Sequence, residues 1–214
     1  MKDIGLALFT DCRAASLAMP GLEGGYSPAQ RDAIVDHLNH AMVELAVSAW
    51  PGPIWLYTSS DQDESKCAAL VGAHVIRRRL QVAGDRTARM AAALRERLAQ
   101  EPAAGALAGF LPHCPWDVID DANHLLARGR IVVGATQSGG LWFLGVPRAR
   151  VELLSALAAG GARPLELIKR KALELDADVD LLATMRTIET DTDLWLAAQQ
   201  CDDLKRFLAG LDAA

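Results

Sequence analysis

Two short apolar segments that flank a pair of glycines constrain the fold of this chain more than any other stretch. Residues 131–133 are all β-branched, and residues 141–144 are aliphatic and aromatic, which is typical of strands covered on both faces. The intervening Gly139 and Gly140 allow a positive φ and a close approach to a ligand or a neighbouring strand. The stretch therefore predicts two strands joined by a tight turn. That turn is either structural or part of a ligand site, because ligands of α/β sheets bind at such strand ends.

The remaining apolar segments alternate between strand and helix patterns. We expect strands at residues 4–9, 54–58 and 75–80, an apolar segment at 106–111, and either strand or helix at 179–185. Helical patterns cover residues 28–50, 63–71, 88–100, 117–127, 149–159, 165–175 and 191–211, and the first begins at a Ser27-Pro28 cap. This alternation predicts an α/β fold, a three-layer sandwich with a mostly parallel sheet. Residues 1–214 contain no repeat or linker, so we expect a single domain.

Charge and cysteine usage limit the partners and the compartment. A formal net charge of −5 argues against nucleic acid or an anionic membrane as the main partner, and no apolar run reaches transmembrane length. The apolar residues 4–9 are too few for a signal peptide. The four cysteines form no Cys-x-x-Cys pair, so neither a zinc site nor a disulfide framework is indicated. We therefore expect a cytoplasmic protein with a small-molecule partner, either a monomer or a homodimer.

Several charged residues are candidates for a site, and each also has a structural interpretation. Asp85 and Arg89 lie four residues apart at the start of a helix, where they either bind a base, ribose or phosphate or form a helix cap and an ion pair. Asp191 and Asp193 open another helix, where acidic residues also favour the helix dipole. The arginine run at residues 77–79 either binds phosphate or marks a solvated strand near the edge of the sheet.

Three segments, taken in order, resemble a known family. They are Gln81-Val82-Ala83-Gly84-Asp85-Arg86-Thr87-Ala88-Arg89-Met90, the glycine-containing stretch at residues 134–146, and Glu189-Thr190-Asp191-Thr192-Asp193-Leu194. Their order and spacing are similar to those of small bacterial glycosyltransferase-like proteins of the nucleotide-diphospho-sugar transferase (glycosyltransferase-A) fold. That group includes members assigned to arsenosugar biosynthesis. The resemblance extends from residue 4 to residue 194 and implies a nucleotide-sugar ligand.

The resemblance also implies which residues form the site. Substrate-binding residues would be Arg13, Asp85, Arg89, Ser138, Gly139, Gly140 and Trp142, the last as a stacking surface. A Mg²⁺ or Mn²⁺ ion would be held by His113 and Asp191. The chain departs from the family pattern at two carboxylates, which His113 and Ser138 replace, and Arg13 is the one basic residue close after the first strand.

These departures leave more than one function open. Because hard divalent cations prefer oxygen ligands, the loss of two carboxylates weakens the implied metal site. The first hypothesis is a nucleotide-sugar-dependent glycosyltransferase. The second is a non-catalytic relative that binds a ligand or a protein partner. A nucleotidyltransferase, the third, requires a basic phosphate-binding segment after the first strand.

Overall fold

A computed structural model describes residues 4–22, 25–58, 64–72, 76–157 and 163–212. The strands are β1 (Ile4–Phe9), β2 (Ile54–Thr58), β3 (Ile76–Leu80), β4 (Ala103–Leu107), β5 (Ile131–Ala135), β6 (Leu141–Pro147) and β7 (Val179–Leu181). The α-helices are α1 (Ala15–Ala18), α2 (Pro28–Ala49), α3 (Glu64–Gly72), α4 (Arg86–Leu98), α5 (Trp116–Ala127), α6 (Pro164–Glu174), α7 (Asp191–Ala198) and α8 (Asp202–Asp212). A 3-10 segment, Arg148–Leu157, follows β6.

The described strands form one seven-stranded sheet in the order β3-β2-β1-β4-β6-β5-β7. β1 pairs in parallel with β2 and β4, β2 with β3, and β5 with β7. β6 runs antiparallel to both of its neighbours. The chain leaves β1 toward β2 and β3 on one side and then crosses to β4 on the other side. The strand order therefore reverses between β1 and β4, and such a reversal opens a crevice at the carboxyl ends of the two strands.

Helices cover both faces of the sheet. Successive side chains of β1 point to opposite faces, so Leu6 and Leu8 pack in one buried cluster with α2 and α5, and Ala7 packs in a second cluster with α4, the 3-10 segment and α6. A third cluster joins α1, α2, α7 and α8. The predicted α/β three-layer fold with a mostly parallel sheet is confirmed. None of the described helices combines the length and the apolar character that crossing a bilayer requires.

Some predicted elements differ in their bounds. The long terminal helix expected at residues 191–211 is two helices, because the chain turns at residues 199–201. Both helices then pack in one cluster with α2. In that cluster His37 of α2 stacks on Phe207 of α8, with ring centroids 4.1 Å apart. The helix expected at 149–159 is the 3-10 segment. Of the apolar segment expected at 106–111, only residues 106 and 107 belong to a strand, which begins earlier, at Ala103, and ends at Leu107. Only Val179–Leu181 of the ambiguous segment is a strand. Predicted positions 63, 75, 158 and 159 lie outside the described residues.

The arginine run lies on β3, an edge strand of the described sheet. Arg78 forms an ion pair with Glu64 and donates to the hydroxyl of Thr58 at 2.9 Å. Arg77 and Arg79 stack over the ring of Trp55, with guanidinium carbons 5.1 and 4.6 Å from the ring centroid. The strand order therefore agrees with the predicted strand near the edge of the sheet, and the arginines of the run have partners within the protein.

Candidate functional site

A cleft of about 420 Å³ opens at the carboxyl ends of β1 and β4, where the strand order reverses. Its apolar walls come from the end of β1, from α1 and from the segment after β4. Its polar side chains come from three segments that are far apart in the sequence: Thr10, Asp11, Gln81, Arg86, Arg89, Glu189 and Thr190. A cleft of this size accommodates a ligand as large as a nucleotide.

The first turns of α4 supply the cationic wall of the cleft. Asp85 caps this helix, since its Oδ1 accepts a hydrogen bond from the amide of Ala88 at 2.8 Å. Arg86 and Arg89 then line the cleft. Arg89 donates from Nη1 to Oε1 of Gln81 at 2.6 Å, and Gln81 in turn donates to the carbonyl of Tyr57 at 2.8 Å. The guanidinium of Arg89 is thereby oriented by a side chain that is itself fixed to β2.

Arg89 has donor capacity that the protein does not use. Its Nε is buried and has no hydrogen-bond acceptor among the described residues. Burial lowers the pKa of Arg89, and the positive charges of Arg86 and Arg13 lower it further, against the opposing effect of Asp11 and Asp85. A partly desolvated cation beside other cations gains free energy when an anion approaches. The cleft therefore favours an anionic ligand next to α4.

Asp11 lies at the end of β1 and is held from two sides. Arg13 donates to both of its carboxylate oxygens, from Nε at 2.8 Å and from Nη2 at 2.5 Å. The buried side chain of Asn39 on α2 accepts from the amide of Asp11 at 3.2 Å and donates to its carbonyl at 2.8 Å. The segment that leaves β1 is thus fixed to α2, and Arg13 pairs with Asp11, a lining residue, without lining the cleft itself.

Glu189 provides a second carboxylate of the cleft. Its Oε1 accepts from Arg86 at 3.2 Å and from the hydroxyl of Thr187 at 3.1 Å. The next residue, Thr190, caps α7 and exchanges hydrogen bonds with Asp193 in a capping box. Glu189 belongs to the motif at residues 189–194, in which Asp191 rather than Glu189 was the predicted metal ligand. The cap at Thr190 is the signal that identifies Glu189, because the residue before a cap lies outside the helix and is free to face a cleft.

The structure does not bring all of the predicted substrate-binding residues together. Arg89 lines the cleft, Arg13 contacts a lining residue, and Asp85 serves as a helix cap. Ser138, Gly139 and Gly140 form the turn between β5 and β6, at the same edge of the sheet but not among the lining residues. Trp142 is fully buried and donates from Nε1 to the carbonyl of Ala183 at 3.2 Å. Its side chain therefore presents no surface for stacking, which corrects that part of the prediction.

The predicted metal ligands are also apart from the cleft. His113 lies between β4 and α5, its Nδ1 is buried without a hydrogen-bond partner among the described residues, and burial lowers its pKa. Asp191 is the first residue of α7, and neither residue lines the cleft. Within the described ranges, no three His, Cys, Asp or Glu side chains converge as a metal site. These residues do not fit a metal ion held by the protein alone.

Residues 42–160, more than half of the 214-residue chain, match the family described as "Uncharacterized protein conserved in bacteria (DUF2064)". The chain belongs to this family. No curated protein matches the chain in sequence.

Solved structures share the fold at low sequence identity. A "putative nucleotide-diphospho-sugar transferase" from Desulfovibrio desulfuricans G20 is 14% identical with a TM-score of 0.80, over 100% of this chain and 96% of the other. A CMP:2-keto-3-deoxy-manno-octonic acid synthetase complexed with CTP is 10% identical, TM-score 0.57, over 95% and 100%. A Mycobacterium tuberculosis H37Rv protein, Rv0371c, in complex with manganese is 13% identical, TM-score 0.55, over 92% and 98%. The nucleotide-diphospho-sugar transferase-like fold implied by the sequence motifs is therefore confirmed.

Proposed function

We propose that this protein binds a nucleotide sugar in the cleft between the ends of β1 and β4 and acts as a glycosyltransferase. The observation that carries the proposal is the half-buried Arg89, which lines the cleft with an unused Nε beside Arg86. Guanidinium groups match the oxygens of phosphate in geometry and charge. The neighbour complexed with CTP and the neighbour described as a sugar-nucleotide transferase support a ligand of this class.

The lining residues suggest how the ligand is divided between the walls. The diphosphate would lie against Arg86 and Arg89, and ligand hydroxyls would donate to Asp11 and Glu189, the carboxylates that line the cleft. In a transfer reaction, an acceptor hydroxyl attacks the anomeric carbon, the bond from that carbon to the diphosphate oxygen breaks, and the nucleoside diphosphate leaves. The proton of the acceptor passes to a carboxylate, for which Asp11 and Glu189 are the candidates.

A non-catalytic ligand-binding role is the second candidate, and a specific observation favours it. Both carboxylates of the cleft already form ion pairs, Asp11 with Arg13 and Glu189 with Arg86. Both oxygens of Asp11 and Oε1 of Glu189 already accept hydrogen bonds from protein side chains, so an acceptor hydroxyl would compete with these donors. Binding and turnover must therefore be measured separately.

The proposal is tested by thermal unfolding with CTP, UDP, GDP, UDP-glucose and GDP-mannose, each with and without Mn²⁺. A ligand at about 100 times its Kd stabilises the native state by about 2.7 kcal/mol, which raises Tm by about 5–10 °C for a chain of this length. We expect such a shift with at least one compound and its loss in Arg89→Gln. The control is Arg206→Gln, at an arginine that is 78% exposed on α8.

Turnover distinguishes the two candidates once binding is established. Release of nucleoside diphosphate from a bound nucleotide sugar, measured by chromatography, supports the transferase. Binding without release supports the non-catalytic relative. The absence of any shift across the whole panel overturns the nucleotide-binding proposal itself.

A further inference from the structure

The charged groups of the cleft differ from those that a divalent cation requires. A Mg²⁺ or Mn²⁺ site needs carboxylate oxygens that accept the ion, but the two carboxylates of this cleft accept hydrogen bonds from arginines. Both oxygens of Asp11 face Arg13, and Oε1 of Glu189 faces Arg86 and Thr187. A cation on Asp11 would displace the guanidinium of Arg13, and a cation on Oε1 of Glu189 would displace that of Arg86. The positive charges beside these carboxylates are therefore the guanidinium groups of arginine side chains.

The arginines have the geometry to replace such a cation. Arg89 is oriented by Gln81 at 2.6 Å and retains a buried Nε without an acceptor among the described residues. Arg86 lines the cleft from the same helix, one turn earlier. Two guanidinium groups on one wall offer several N–H donors to the oxygens of one diphosphate, and charge-assisted bonds of this kind are about twice as strong as neutral ones.

We propose that the cleft binds the phosphate groups of its ligand through Arg89 and Arg86 and needs no divalent cation to do so. The proposal rests on the proposed nucleotide-binding function. It differs from the metal-dependent binding implied by the sequence motifs, in which carboxylates would hold an ion that bridges to the phosphates.

Glu189 is the counter-ion of Arg86 when no ligand is bound. The side chains of the pair are 39% and 47% exposed, and an ion pair in such a position contributes little to stability. An incoming phosphate can therefore take the place of the carboxylate on Arg86 at small cost. Glu189 then opposes the binding of anions, whereas a metal-ligating Glu189 would promote it. The two roles therefore predict opposite changes in nucleotide affinity when the charge of Glu189 is removed.

The test is isothermal titration of the full chain with CTP and with inorganic pyrophosphate, in EDTA and again in Mn²⁺. We expect binding in EDTA, with a Kd within about threefold of the value in Mn²⁺. Arg89→Gln weakens binding about tenfold or more, the loss expected for hydrogen bonds to a charged group. Arg89→Lys, which keeps the charge but not the planar fork, recovers only part of that affinity. Arg206→Gln on α8 leaves Kd unchanged.

The substitution Glu189→Gln shows whether the carboxylate of Glu189 opposes or promotes nucleotide binding. It retains an acceptor for Thr187 and removes the negative charge, so we expect CTP to bind about two- to fivefold more tightly in EDTA. Weaker binding in Glu189→Gln, confined to Mn²⁺, overturns the proposal. Binding of CTP and pyrophosphate only in Mn²⁺ also overturns it and leaves the nucleotide-binding function standing. No binding of either probe under either condition overturns both.

Discussion

At the scale of single residues, Asn39 and Asn123 are two buried asparagines in opposite situations. Asn39 is 1% exposed and makes two hydrogen bonds to the backbone of Asp11. Asn123, on α5, is fully buried, and neither its Oδ1 nor its Nδ2 has a partner among the described residues. Asn39 therefore holds the segment that forms the cleft, and Asn123 makes no such connection.

The same substitution at the two positions is expected to have different effects. Asn39→Leu leaves the amide and carbonyl of Asp11 without their partner and lowers the free energy of unfolding by about 1–3 kcal/mol. Asn123→Leu replaces an unsatisfied buried amide by an apolar group and leaves stability unchanged or raised. Urea unfolding measures both, and an equal cost at the two sites would contradict this assignment.

Arg97 is a buried charge on the opposite side of the sheet from α2. It is 0% exposed, donates to Glu96 at 2.6 Å, and stacks over Trp55 with its guanidinium carbon 3.7 Å from the ring centroid. Its buried ion pair is with Glu101, whose side chain is 11% exposed and whose Oε1 lies 3.7 Å from Nη1 of Arg97. We expect Arg97→Met to destabilise the protein by about 3–5 kcal/mol, since it leaves the carboxylate of Glu101 without its counter-charge. Arg206→Met is the exposed control, and comparable losses in urea unfolding would refute the role of Arg97.

His113 makes stability depend on pH. Burial lowers its pKa from 6.5, so the unfolded chain binds a proton at a higher pH than the folded chain. The stability that neutral His113 contributes is present above about pH 6.5 and is lost as the pH falls toward the lower folded value. His113→Leu should therefore reduce the drop in Tm between about pH 7.5 and about pH 5.5. An unchanged drop would show that His113 does not contribute to it.

At the scale of elements, the N-terminus of α7 connects helix capping to the cleft. The hydroxyl of Thr190 accepts from the amide of Asp193 at 3.2 Å and donates to its carboxylate at 2.8 Å. Arg186 also donates to Asp193, at 2.9 Å, and hydrogen bonds from Arg186 and Thr190 lower the pKa of Asp193 although burial alone would raise it. This network fixes the wall on which Glu189 lies.

Removal of the cap should therefore affect both stability and binding. Thr190→Ala lowers the free energy of unfolding by about 1 kcal/mol, the usual cost of a lost cap, and weakens nucleotide binding because the wall of the cleft that Thr190 lines is no longer held in place. Thr190→Ser keeps the hydroxyl and is expected to retain both properties. Calorimetry and ligand titration of the pair provide the measurement; a Ser variant as impaired as the Ala variant would argue against the cap.

The turn between β5 and β6 shows what local sequence can and cannot predict. The hairpin follows from its two apolar segments and from Gly139, which has φ +88°. Its possible ligand role is not supported, because the polar groups of the turn bond to one another: the amide of Gly140 donates to Thr136 at 2.8 Å, and the hydroxyls of Thr136 and Ser138 lie 3.0 Å apart. Sequence pattern alone does not show whether such groups are already paired.

At the scale of the whole molecule, the fold class was predictable and the cleft was not. Strands and helices alternate in the sequence with their own periodicities, and this alternation determines a layered α/β fold. The order of the strands depends on contacts between distant segments, so the reversal between β1 and β4 is absent from any local pattern. The pairing of Arg86 with Glu189 joins residues that are 103 positions apart, so local sequence does not predict it either.

The most direct test of the central claim is a backbone amide NMR titration of the intact chain with CTP. If the nucleotide binds between β1 and β4, the largest shift changes will fall on the amides of Asp11, Arg89, Gly109 and Glu189, which surround the cleft. Little change is then expected at Ser138 and Gly139 in the β5–β6 turn. Changes confined to that turn, or to the groove between α5 and β7 near His124 and Leu182, would contradict the assignment of the site.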